Sequence, residues 1–68
     1  MSTPMHAQIH DVSKWGLRLV LAQPIAVGSA VKVETAGMVD SGEIRYCLRT
    51  RDGSFTAGMR IDSTQKLA

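Results

Sequence analysis

Cysteine, aromatic rings, proline and long apolar runs are all scarce in this 68-residue chain. Cys47 stands alone, which excludes an internal disulfide and a multi-thiolate zinc site and fits a reducing compartment. With no general base nameable beside it, Cys47 reads as a small packing residue rather than a reactive thiol. One tryptophan, one tyrosine and one phenylalanine cannot line a groove of successive stacking rings, so a single-stranded nucleic acid is not an expected partner. No apolar run approaches the roughly 18 residues of a membrane span, and no stretch has the pattern of a secretory signal. The expected location is therefore the cytoplasm. A polybasic tract is lacking too: eight basic and six acidic residues are interspersed and leave a net charge of +2. At 44% hydrophobic and 21% charged, the composition is nonetheless that of a chain that folds.

What is present is alternation. Met5, Ala7 and Ile9 alternate with His6, Gln8 and His10, and after the turn over residues 11–16, Leu17, Leu19 and Leu21 alternate with Arg18, Val20 and Ala22. Pro24 stops that second strand by removing a backbone donor. Val31 and Val33 set a third strand running to about Thr35, and Ala36-Gly37 supplies a tight reversal. Asp40-Ser41-Gly42 reads as a bulge or a second turn before a fourth strand counted from Glu43, with Ile44, Tyr46 and Leu48 on one side and Cys47 on the other. Asp52-Gly53 is the strongest hairpin signal, returning the chain through Phe55, Ala57, Met59 and Ile61. No segment carries a helical stripe. The expectation is one all-β domain over residues 1–68, with its core at about 5–62 and a short tail at 63–68. It should be a small antiparallel barrel of five to six strands, since closure buries one apolar face and removes exposed edges. Its interior should hold Ile9, Leu17, Leu19, Val31, Val33, Ile44, Tyr46, Leu48, Phe55 and Met59, and Cys47 should lie outside.

Candidate chemistry thins out on inspection. His6 and His10 lie four residues apart on one strand, about 13 Å at 3.3 Å per residue, too far to share a metal whose bonds are near 2 Å. Ser13 with His10 and Asp11 makes a nominal triplet, but such local triplets arise easily by chance, and a domain this small offers little room for a substrate pocket of roughly 300 Å³. No catalytic residue, metal ligand or resident cofactor is assigned, and an enzyme is not expected. Arg18, Arg45, Arg49, Arg51 and Lys32 could form an outer basic surface, although solvated side chains explain them as well.

The stretch "DVSKWGL" holds an acid, a hydroxyl and a glycine at spacings of two and three. Asp11 and Ser13 have short polar side chains that bond nearby amides, and Gly16 permits positive φ, so a turn alone accounts for them. The same stretch resembles the D/N-x-S-x-x-G motif of the PilZ domain, the bacterial receptor module for cyclic di-GMP. The likeness extends to "GLRLVLAQPIAVGSAVKVE", similar to that family's strand, proline-bearing loop, glycine turn and next strand, and to "GEIRYCLRTRDGSFTAGMRI", similar to its closing hairpin. It covers about residues 7–62. The resemblance implies a six-stranded antiparallel barrel, with Asp11, Ser13 and Gly16 in ligand-contacting positions and Lys14, Trp15 and Arg18 beside them. The family's other motif, an upstream R-x-x-x-R whose arginines grip phosphate and stack on guanine, has no counterpart before Arg18. Three readings follow: weak cyclic di-GMP binding through the turn and outward cations, a degenerate module acting as a protein-protein adaptor with a protein partner, or arginines supplied by an upstream segment or partner chain.

Overall fold

The computed structural model describes residues 6–67, and every regular element in it is a strand. They are β1 (Ala7–Val12), β2 (Gly16–Leu21), β3 (Ala30–Thr35), β4 (Met38–Arg49) and β5 (Phe55–Lys66). All pairings are antiparallel, and the five strands form one sheet in the order β1-β2-β5-β4-β3. Met5, expected on the first strand, lies outside the described residues. Among those described, no helix is long and apolar enough to cross a membrane.

The all-β antiparallel class follows from the period-two patterning, but the sheet does not close into the expected barrel. The register explains why. β2 pairs with the hairpin end of β5, from Leu21 opposite Phe55 to Gly16 opposite Arg60, whereas β3 pairs with the far end of β4, from Thr35 opposite Met38 to Ala30 opposite Glu43. The outer strands thus flank opposite halves of one long β4–β5 hairpin and do not face each other along a common length. β1 and β3 remain edges. The β3–β4 reversal is the expected two-residue turn, with Ala36 at φ 47° and Gly37 at φ 79°, the left-handed pair that matches strand twist.

Three irregularities decide which side chains point inward. His10 is an extra residue in β1, since Ile9 faces Leu19 while Asp11 faces Arg18. Asp62 is extra in β5, since Ser41 faces Ser63 while Gly42 faces Ile61, which makes the Asp40-Ser41-Gly42 region a bulge and not a turn. Arg45 is extra in β4, since Ile44 faces Met59 while Tyr46 faces Gly58. An extra residue reverses the parity of everything beyond it. Cys47 therefore comes opposite Ala57 and packs against the core, while Tyr46 and Leu48 turn outward, at 40% and 62% exposure. This corrects the expected placement of all three. Ile9 has inward parity but belongs to an edge strand and stays partly exposed.

The core is Leu17, Leu19, Leu21, Ile44, Ala57 and Met59, with Ile44 fully buried, and Ile25, Val31, Val33, Phe55 and Ile61 pack around it. Burying a leucine or isoleucine contributes about 1.5–3 kcal/mol, so this small cluster carries much of the stability of the sheet. The tail is not irregular: residues 63–66 extend β5, with Lys66 opposite Met38, and the Leu67 amide donates to the Gly37 carbonyl at 2.7 Å. Its polar composition hid a strand whose partner, the start of β4, supplies the pairing.

Candidate functional site

On the side of the sheet away from the core, adjacent strands align a row of four residues: Asp11 on β1, Arg18 on β2, Gly58 on β5 and Tyr46 on β4. At a strand spacing near 4.8 Å the row spans about 14 Å. The neighbouring row sets Gly16 opposite Arg60, and Arg60 opposite Glu43. Together with Ser13, Trp15 and the bulge residue Arg45, these positions line an open concavity of about 420 Å³. A chain of this size thus has more room on its outer surface than length alone suggests.

The turn between β1 and β2 is built by Ser13. Its amide donates to the Gly16 carbonyl at 2.9 Å, and its Oγ accepts from the amides of Trp15 and Gly16 at 3.3 and 3.2 Å. The Trp15 carbonyl in turn accepts from the Ile61 amide at 2.9 Å, fastening the turn to β5. Gly16 is required for a steric reason, since a Cβ there would collide with the Met59 carbonyl oxygen. Asp11 takes no part in the turn. Its Oδ2 accepts from Arg18 Nη2 at 3.1 Å, in an ion pair with both side chains well exposed. Exposed pairs of this kind contribute about 0–1 kcal/mol, so the carboxylate exchanges partners at little cost.

Of the six residues expected in a ligand site, Asp11, Ser13, Trp15, Gly16 and Arg18 line the concavity. Lys14 does not; its Nζ lies over the Trp15 ring, 5.2 Å from the centroid. Sequence reasoning missed Tyr46 and Arg60 as site residues and left Arg45 among solvated cations. One signal pointed to them. Gly58 is a glycine inside a strand, which marks a close approach, and a Cβ at Gly58 would collide with the Tyr46 ring. The Tyr46 ring thus lies over the Gly58 backbone, in the space a Cβ would fill.

The lining sets three guanidiniums, Arg18, Arg45 and Arg60, against one carboxylate, Asp11. Arg45 Nη1 donates to Glu43 Oε2 at 2.9 Å and Arg60 Nε donates to Asp62 Oδ1 at 3.0 Å, each pair exposed. A guanidinium has five N–H donors, so each retains most of its donor capacity. Ser13 spends its oxygen on the backbone, and no histidine lines the site. Among the described residues no three His, Cys, Asp or Glu side chains come close enough to hold a metal ion. The groups on offer are cationic forks, one carboxylate held only by an exposed pair with Arg18 and an aromatic ring, suited to holding an anionic, planar molecule. No protein-family model, no curated protein and no solved structure matches this chain.

Proposed function

We propose that this chain is a PilZ-like module of bacterial cyclic di-GMP signalling, a cytoplasmic receptor and not an enzyme, and that it binds cyclic di-GMP at the concavity beside the β1–β2 turn. One observation carries the reading: Asp11 and Gly16, which match the motif, open onto the same concavity as three arginines. The Asp11 carboxylate is an acceptor suited to the N–H donors of a guanine edge, and the arginines are suited to phosphate. Ser13 contributes by holding the turn rather than by touching the ligand, since its hydroxyl is already engaged. Calorimetric titration of the chain with cyclic di-GMP, followed by backbone NMR, tests this. Saturable binding with shift changes around residues 8–18 supports it, and no response at millimolar nucleotide overturns it.

The competing reading is a degenerate module that binds no nucleotide and serves as an adaptor for a protein partner. It draws on the exposure of apolar side chains on the same outer region, Trp15 at 73% and Leu48 at 62%. In that case the nucleotide gives no saturable signal, and the informative substitutions are Trp15→Ala and Leu48→Ala, measured on partner binding.

A further inference from the structure

We infer that Arg45 and Arg60 receive the phosphates of a guanine nucleotide and that the Tyr46 ring, seated on Gly58, is the stacking floor for its base. The inference rests on the outer concavity being a nucleotide site, and it names groups that no motif in the sequence assigns.

The Arg45 bulge performs two tasks at once. As the extra residue between Ile44 and Tyr46, Arg45 shares neither neighbour's cross-strand partner, and it reverses the parity that would have buried Tyr46 in the core. Without the bulge, Arg45 would pair with Gly58 and unbroken alternation from Ile44 would bring Tyr46 opposite Ala57, on the core face. With it, the ring comes out onto the Gly58 backbone, where no side chain of β5 stands beneath it. A ring that packs on a strand backbone, lines the concavity and stays 40% exposed offers aromatic surface to a planar base.

Both arginines lie to one side of this floor along the strands, toward the Glu43–Arg60 pair. Arg60 lies two residues from Gly58 on β5, hence on the same face, and Arg45 precedes Tyr46 on β4. Both line the concavity. Each is paired with a carboxylate two residues along its own strand, Glu43 for Arg45 and Asp62 for Arg60. These carboxylates accept from the guanidiniums and so compete with phosphate for them. Because such exposed pairs are weak, a phosphate that accepts two N–H bonds from one guanidinium displaces them.

The competition makes the decisive variants ones that gain affinity, which a misfolded protein cannot do. The full chain is titrated with cyclic di-GMP and, separately, with GTP, read by calorimetry. Glu43→Gln with Asp62→Asn should tighten binding several-fold and steepen its salt dependence, because two competing negative charges are removed, whereas Arg45→Ala with Arg60→Ala should weaken it about tenfold or more for each charge-assisted bond lost. Tyr46→Ala should weaken binding and Tyr46→Phe should restore it, since the ring and not the hydroxyl makes the contact. Circular dichroism of each variant checks that the sheet is intact. Cyclic di-GMP binding that depends on Asp11 but is unchanged by the Arg45 and Arg60 substitutions overturns this inference and leaves the proposed function standing. GTP binding that depends on Arg45, Arg60 and Tyr46, with no response to cyclic di-GMP, supports the inference and overturns the cyclic di-GMP reading. Binding of neither nucleotide overturns both.

Discussion

At the turn between β4 and β5 the exposed Asp52 carboxylate is engaged by its own loop: Oδ1 accepts from the Thr50 hydroxyl, and from the Ser54 hydroxyl and amide at 2.7 and 3.0 Å. At the turn between β1 and β2 the equivalent kit of acid, hydroxyl and glycine is divided. Ser13 alone bonds the turn backbone, and Asp11 stands outside it, tied only to Arg18 across the strand pair. The glycines differ in the same way. Gly53 is needed for its φ of 86°, a conformational demand of the loop itself, whereas Gly16 is needed because the Met59 backbone passes too close for a side chain. One turn spends all its polar groups on its own shape. The other is shaped by one residue and by contact with β5, which leaves a carboxylate available on the outer surface.

The sharpest way to break this contrast is at the glycines. Gly16→Ala forces two backbones apart and should cost about 1–3 kcal/mol or more, because a carbonyl cannot move aside as a flexible side chain can. Gly53→Ala should cost roughly 1–2 kcal/mol, the strain of an alanine in the left-handed region. Urea denaturation midpoints of the two variants rank them, and a larger loss at Gly53 would mean that the β1–β2 turn is not anchored on β5 as described. Ser13→Ala should follow at about 1 kcal/mol, since the amides of Trp15 and Gly16 lose their acceptor but can turn to water.

The acids separate the turns by pH. Asp52 is held down at about 2, from an ordinary 3.8, chiefly by the Thr50 hydroxyl and then by the Ser54 hydroxyl and amide. Its folded value lies below the unfolded one, so the stabilisation is fully present above about pH 4 and is lost as pH falls toward 2. Melting temperature followed across that window should drop less in Asp52→Asn than in the parent chain. The smallest effect is expected from Asp11→Ala, under about 0.5 kcal/mol at neutral pH, because an exposed ion pair is all that it removes. A loss as large as that of Ser13→Ala would show that Asp11 does structural work after all.

Much of the architecture was legible because period-two alternation and glycine turns are local signals. The Leu17, Leu19 and Leu21 face, the Ala36-Gly37 reversal and the Asp52-Gly53 hairpin all stand where the pattern placed them. The candidate site was half legible. Asp11, Ser13, Gly16 and Arg18 were named from one contiguous stretch, and they do line one concavity. Arg60 and Tyr46 were missed for different reasons. Arg60 joins the site only through its pairing opposite Gly16, forty-four positions away in the chain, and Tyr46 was assigned inward because an unbroken alternation was carried through β4.

Side-chain parity and turn chemistry act over a few residues, so sequence alone was enough for the antiparallel strands, for where the chain turns, and for the interior side of Leu17, Leu19, Leu21, Val31 and Val33. Only the tertiary structure decided the rest. The one-residue slips at His10, Arg45 and Asp62 exist only as mismatches between two strands, and they sent Cys47 inward and Tyr46 outward. The offset of β2 and β3 along the central hairpin, which keeps the sheet open, is likewise a matter of register. Register is an energy shared between strands distant in sequence, set by which faces bury most together, so no single segment could have declared it.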